Sequence, residues 1–269
     1  MDIHIEHNHS RMSEKLLATF FEVEEKHWWW IGRKNIIKSL LNSKGTRNKY
    51  IILDAGCGTG SNITFFNQFG TTYGIDISSI ATKFCRLRGI KNVVTGDVSK
   101  LPYNDNFFDI VSCMDVLEHI ENEQKVIKEL LRVLKPDGEL ILTVPALPFL
   151  FSKHDHAQGH FRRYSRNYLR NILLSSGFEE DRITYFNTLL SFPIIVFRLL
   201  SKLEPFSGLA DFDAKMNYDV YRAHGFNKLL ASIFSLESKI LKKMDMPFGV
   251  SLVAFYKKPK KIKSKLDIK

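Results

Sequence analysis

Between Tyr50 and Gly60 an apolar run stops at an aspartate and breaks into glycines: Tyr50-Ile51-Ile52-Leu53-Asp54-Ala55-Gly56-Cys57-Gly58-Thr59-Gly60. A short apolar run entering a glycine turn, with a helical pattern behind it, reads as a buried strand that bends sharply into a helix. The same rhythm repeats downstream. Runs at 72–76, 93–94, 107–112 and 139–144 read as further strands, and helical patterns fill 61–69, 79–88 and 122–134. Strands alternating with helices of about a dozen residues dictate parallel βαβ units with right-handed crossovers. The fold class expected is α/β: a Rossmann-like, mostly parallel seven-stranded sheet with helices on both faces and a helical insertion before the last strand.

The flanks read differently. Residues 1–11 are polar, with His4, His7 and His9 alternating, and an unordered start is expected. Ser13 through Trp30 reads as a helix capped by Ser13 and ending in His27-Trp28-Trp29-Trp30. After Pro145 a His-rich loop (151–163) leads to a helix capped by Ser165 and closed at Gly177, then to a strand near 181–187. No strand signal appears across 188–246, and 249–256 reads as the closing strand. The expected organisation is an N-terminal helical lid (1–48), a core domain (49–187 and 247–257), a helical insertion (188–246) serving substrate, membrane or oligomer contacts, and a basic tail (258–269).

Composition narrows the classes. With 44% hydrophobic and 25% charged residues in 269, a sizeable core is available. Three scattered cysteines, Cys57, Cys85 and Cys113, form no CxxC pair, which argues against a disulfide framework or a cysteine zinc site and fits a reducing, cytoplasmic setting. No leader-like start is read. The longest uncharged stretch, Ile183 to Phe197, is 15 residues, short of the about 20 needed to span a bilayer. Lys257 to Lys269 holds seven lysines and one aspartate, +6 of the total +10. Such a tail solubilises, or tethers to anionic lipid at about 1 kcal/mol per lysine. Leu189–Phe197 is apolar enough to lie in a membrane interface or to pack at a dimer seam, with Pro193 bending it or splitting it in two.

Ligands of open parallel sheets sit at the carboxyl ends of the strands. Asp54, Asp76, Asp97 and the Asp115/Glu118/His119 group all follow strand ends. Asp76 falls 22 residues after Asp54, where a carboxylate takes two ribose hydroxyls. The glycine spacing is G-x-G-x-G, with Ser61 where a dinucleotide site has its third glycine, and no GK[ST] follows. Asp54 immediately before the glycines disfavours a pyrophosphate and suits a cationic ligand.

Together LDAGCGTG (53–60), YGIDIS (73–78), GDV (96–98), FDIVSC (108–113), DVLEH (115–119) and LKPDGEL (134–140) resemble the class I S-adenosylmethionine-dependent methyltransferases, over about residues 50–145. The resemblance implies S-adenosylmethionine as cofactor. Asp54 with Gly56, Cys57, Gly58 and Gly60 would hold its methionine moiety, and Asp76 with Ile77 its ribose side. Asp97 and Val98 would meet the adenine, with Met114, Asp115 and His119 near the sulfonium. The DVLEHI run and HDHAQGHFRRYS (154–165) are also similar in part to ubiquinone-biosynthesis O-methyltransferases. Some of those hold a divalent metal on an acid-x-x-Glu-His pattern, matched here by Asp115, Glu118 and His119. Many methyltransferases carry the same Leu-Glu-His without metal, and none is expected here.

The expected function is methyl transfer to an oxygen of a small-molecule, glycan or lipid-linked acceptor. A hydroxyl acceptor needs a base near neutral pKa, which favours histidine. His160 is the first candidate, with His156 and His119 behind it. Trp29, Trp30, Arg33, Arg162, Arg163 and Tyr164 are the candidate substrate contacts. Arg162 or Arg163 would hold an anionic group of the acceptor. The competing classes are a nucleic-acid methyltransferase and a cofactor-binding protein without catalysis. The former is disfavoured because Asp115-Val116-Leu117-Glu118 stands where amine methylation of bases uses an Asn/Asp-Pro-Pro-aromatic run.

Overall fold

A computed structural model of the chain describes residues 14–45, 49–203 and 224–260. Ser13, the three N-terminal histidines, most of the lysine tail and the middle of the 188–246 segment lie outside the described residues.

Seven strands form one sheet in the order β3-β2-β1-β4-β5-β7-β6. These are β1 (Tyr50–Ala55), β2 (Gly70–Asp76), β3 (Val93–Thr95), β4 (Phe108–Met114), β5 (Leu134–Pro145), β6 (Glu179–Phe186) and β7 (Ser251–Lys257). The first five pair in parallel, and β7 runs antiparallel between β5 and β6. The central strands bury both faces, so their sequences are apolar on successive residues rather than alternating. Ile52, Ile110, Ile141 and Val253 face one core, while Leu53, Val111, Leu140 and Leu252 face the other.

The second of these cores is closed by α5 (Glu123–Val133) and α7 (Arg166–Ser175). Ser165 caps α7 by accepting from Tyr168 N, and Gly177 takes the left-handed conformation after its end, as the sequence dictates. Near β1 to β3, α3 (Ser61–Phe66) and α4 (Ser79–Leu87) cover a small cluster of Cys57, Ile63, Cys85 and Val93.

The N-terminal region departs from the expected single helix. α1 (Glu14–Val23) stops, and α2 (Trp28–Ser43) starts afresh at a cap formed by His27, whose Nδ1 accepts from Trp29 N. The tryptophans therefore begin a helix rather than end one. α2 covers the remaining sheet face with α9 (His224–Leu241); Ile36, Ile37, Leu40 and Leu41 meet Phe234 and Leu241 there. Asn227 ties the two helices, accepting from Trp28 N at 2.9 Å and donating to Lys26 O at 2.7 Å. Thus the second half of the 188–246 segment is a layer of the core. A Cβ on Gly32 would sit 2.1 Å from the Phe234 ring. Gly32→Ala should therefore overpack this seam and cost about 1–3 kcal/mol, read as a lowered midpoint in thermal or urea unfolding.

The His-rich loop after β5 also contains one helix that the sequence did not announce, α6 (Lys153–Ala157), opened by a Ser152/Asp155 capping box. α8 (Ser191–Leu200) is a single helix with Pro193 in its first turn, where a missing N–H is tolerated. Of its ten residues only Ser191 is buried. No described helix is long and apolar enough to cross a membrane.

Candidate active site

The carboxyl ends of β1, β2, β4, β5 and β6 bring together residues from opposite ends of the chain. Gly56 leaves β1 at φ +79°, with its Cα so close to Val116 that a Cβ would lie 2.4 Å from the valine methyl. Gly58 follows at φ +52° with open space where a Cβ would point. The first glycine lets the strand turn against the loop after β4; the second leaves room for a ligand against bare backbone. Cys57 contributes backbone only, its thiol being turned into the small cluster with Cys85.

Asp54 is fully buried. Ser112 Oγ donates to its Oδ1 at 2.6 Å, while Oδ2 is buried with no hydrogen-bond partner. Burial pushes its pKa up to about 7, against the pull of Ser112, the Arg33 charge and the Asn62 amide. Arg33, from α2, donates through Nη2 to Asn62 Oδ1 at 3.1 Å and through Nη1 to Asp115 Oδ2. Its Nε is buried without a partner. Asp54 and Arg33 thus each keep one buried polar atom unsatisfied, an acceptor and a donor. Expected as a substrate contact, Arg33 lies on the glycine-turn side of the site.

Asp76 accepts from Gly58 N at 2.8 Å and Ser78 N at 2.9 Å; burial raises its pKa despite these bonds. Ile77 beside it is exposed. Asp97 is exposed two residues beyond β3 and accepts from Ser99 N, and Val98 is buried. Met114 is buried at the end of β4, and Asp115 follows in a left-handed turn at φ +56°, held by Arg33 and by Thr143 Oγ1.

The N-terminal helices are bolted to the glycine turn. Glu24 accepts from Thr59 Oγ1 and from Arg88, whose Nε also donates to Thr59 O at 2.8 Å; Ser61 Oγ donates to Glu25 at 2.6 Å. Trp29 stacks on Phe186 and Phe234, and Trp30 meets Phe20 and His27 edge-on, so both serve packing.

On the far side of β4, Phe161 N donates to Glu118 O at 2.7 Å and draws the His-rich loop against the turn after that strand. His160 and His119 meet edge-on with ring centroids 4.7 Å apart. Glu118, His119 and His160 each offer a ligand atom within 4.8 Å of the others, the one such metal-compatible group among the described residues. Glu118 is buried and its Oε2 has no hydrogen-bond partner. His156 is exposed and rests on Phe151, away from this group.

The expected anion holders are already neutralised. Arg162 pairs with Glu123 at 3.1 Å and donates to Glu121 O. Arg163 pairs with Asp155 at 2.8 Å and donates to Ala146 O. Tyr164 is buried with its hydroxyl on Glu123. These three organise the loop. Asn62, Ser112, Asp155 and Arg198 were missed in the sequence; only the Ser152-x-x-Asp155 capping pattern carried any signal.

Residues 53–142 match the family described as a methyltransferase domain. Over 97 residues the chain is 39% identical to the tRNA (carboxymethyluridine(34)-5-O)-methyltransferase of Arabidopsis thaliana, covering 35% of this chain and 24% of that one. Over 191 residues it is 28% identical to the demethylmenaquinone methyltransferase of Geobacillus kaustophilus, covering 63% and 76%. The chain spans about half or less of the length of the first curated relatives it matches, from 24% to 56%. Haemonchus contortus phosphoethanolamine N-methyltransferase 2, solved with S-adenosyl-L-methionine, shares the fold at TM-score 0.52 and 21% identity, covering 83% of this chain and 52% of that one. Residues 53–142 thus carry a methyltransferase domain, set in the fold of the class I S-adenosylmethionine-dependent methyltransferases.

Proposed function

We propose that the protein uses S-adenosylmethionine to methylate an oxygen of a small-molecule, glycan or lipid-linked acceptor. The observation that carries the cofactor is the pair of unsatisfied buried atoms, Asp54 Oδ2 and Arg33 Nε. An acceptor and a donor so placed are complementary to the ammonium and carboxylate of an amino acid, and each would otherwise cost about 1–3 kcal/mol as an orphan. Asp76, set by the Gly58 and Ser78 amides, is left to accept from a ribose diol, with Ile77 and Val98 beside it for an adenine ring. When bound, the cofactor supplies a methyl group on a sulfonium, so the protein contributes position, exclusion of water and a base.

The chain's residues divide that work. Met114 and Asp115 close the end of β4, with Arg33 fixing Asp115. His160, on the loop bonded to the turn after β4, is the group to take the acceptor's hydroxyl proton. Calorimetry with S-adenosylmethionine and with S-adenosylhomocysteine tests the reading. Asp76→Ala should lose charge-assisted bonds to the ribose, about 1.5–3 kcal/mol or roughly 10–150-fold in affinity. Undiminished binding in that variant, or tight binding of NAD instead, overturns it.

Within this reading, a lipid-linked acceptor is favoured by α8. Phe192, Val196 and Leu199 follow one another at helical spacing on it and Leu203 comes just after its end; all four are exposed, at 76, 39, 42 and 55%. Exposed Lys153 and Lys202 lie beside them, and Lys202 reaches the carbonyl of the equally exposed Phe149. An apolar stripe with a basic flank suits the surface of an anionic membrane. Flotation with anionic vesicles at low salt should carry the full chain and lose it on Phe192→Asp. Failure of the full chain to float makes the acceptor a soluble one.

A further inference from the structure

Asp155 accepts hydrogen bonds from four residues, Ser152, His160, Arg163 and Arg198. Its Oδ1 accepts from His160 Nδ1 at 3.1 Å and from Arg163 Nε and Nη2, both at 2.8 Å. Its Oδ2 accepts from Ser152 N at 3.0 Å, from Ser152 Oγ at 3.3 Å and from Arg198 Nη1 at 3.3 Å. Three segments therefore converge on one side chain: the start of α6, the loop after it and α8. The backbone repeats the tie, since His160 N donates to Asp155 O at 2.9 Å. Asp155 is fully buried and the His160 side chain is 8% exposed, so these bonds act where water screens them little.

We infer that Asp155 is a positioning residue: it holds His160 as the Nδ1–H tautomer and so leaves Nε2 as the atom that accepts a proton. The inference rests on the reading of His160 as the base and goes beyond it by assigning the atom and the residue that sets it. An ionised carboxylate can only accept, so a ring nitrogen bonded to it must carry the hydrogen. Burial alone would push the Asp155 carboxyl up. The hydrogen bond from His160 and the charges of Arg163 and Arg198 outweigh that and hold it well below the usual carboxylate range. The orientation is fixed as well as the tautomer. Both carboxylate oxygens are occupied from opposite sides, and Arg163 is anchored in turn on Ala146 O at the end of β5. When His160 takes a proton at Nε2, Asp155 remains ionised and faces the imidazolium through the same Nδ1–H bond.

Two features separate this from a merely structural ion cluster. Arg163 and Arg198 already neutralise Asp155, so folding does not need the histidine to do it. Yet the ring is bonded to Asp155 and stands perpendicular to His119, in the turn after β4. Helix α8, which carries Arg198, is the same helix that exposes the apolar stripe, so the cluster also links the acceptor side of the molecule to His160.

Long-range nitrogen–proton NMR of the full chain at pH 8, with the resonances assigned by their loss in His160→Gln, reads the tautomer without any acceptor. The expected spectrum shows a protonated Nδ1 and an unprotonated Nε2 for His160. A protonated Nε2 with an unprotonated Nδ1 in the unmodified protein overturns the inference. Asp155→Asn puts an amide donor among donors and should shift His160 toward the Nε2–H form. With an acceptor identified by mass spectrometry of an extract treated with S-adenosylmethionine, turnover of that variant should fall toward that of His160→Gln. An unchanged tautomer in folded Asp155→Asn also overturns the inference. A Nδ1–H tautomer together with full turnover in His160→Gln upholds the pairing and overturns the base.

Discussion

Replacing His160 with alanine is expected to slow methyl transfer by about 10²–10⁴-fold and to leave cofactor affinity as it was. The size follows from the step lost. A hydroxyl acceptor holds its proton at neutral pH, and a positioned base removes it as the new carbon–oxygen bond forms. The selectivity follows from the geometry. His160 has no bond to Asp54, Arg33 or Asp76; it belongs to the loop that Phe161 N ties to Glu118 O, on the other side of β4. Its replacement therefore removes the base without disturbing the glycine turn. His156, exposed and resting on Phe151, should tolerate alanine with turnover little changed. The check is initial-rate kinetics on the His160→Ala and His156→Ala variants, with calorimetry of S-adenosylhomocysteine beside it. If His160→Ala turns over normally, the base is His119 or the acceptor needs none.

The parts of the molecule that could be read from the sequence are those that local chemistry decides. The apolar run from Tyr50, the aspartate and the glycines specify a strand, a turn and a helix within a dozen residues, and β1, its positive-φ glycines and α3 appear there. Ser165 and Gly177 bracket α7 for the same reason. Long-range decisions were hidden. Nothing local tells that His27 stops one helix and caps the next, because its role depends on a ring nitrogen reaching Trp29 N. Nothing local tells that Trp29 stacks on Phe186 and Phe234, which come from distant elements. Arg162 and Arg163 look free to bind an anion until Glu123 and Asp155 fold against them. The candidate site divides in the same way. Its aspartates lie at strand ends and could be named; Asn62 and Arg198, and the pairing of Arg33 with Asp115, depend on helices whose placement no spacing in the sequence reveals.

Cofactor binding should weaken about tenfold per pH unit below pH 7, because the group that meets the ammonium titrates there. Burial pushes Asp54 up to about 7. Below that pH the protein without ligand holds Asp54 protonated, and binding an ammonium requires the proton to leave. Affinity should therefore fall by roughly an order of magnitude from pH 7.5 to pH 6 and by another by pH 5. Asp54→Asn cannot ionise. It should bind flatly across this range and more weakly at pH 7.5 by about 2–5 kcal/mol, roughly 30-fold to several thousand-fold, as a buried charge partner is lost. Stability should move the other way. A carboxyl whose folded pKa is raised above its ordinary value contributes stability below that ordinary value, and loses it as the pH rises through about 7. At pH 8 the unmodified protein without ligand carries an ionised, half-satisfied Asp54, and Asp54→Asn should melt at a temperature no lower than it does. Weaker binding combined with undiminished melting separates a lost ligand contact from a damaged fold. Calorimetric titration with S-adenosylhomocysteine between pH 5.5 and 7.5, beside melting curves at pH 8, reads both. Affinity that is level with pH in the unmodified protein would remove Asp54 from the ammonium site and leave its buried oxygen to another partner.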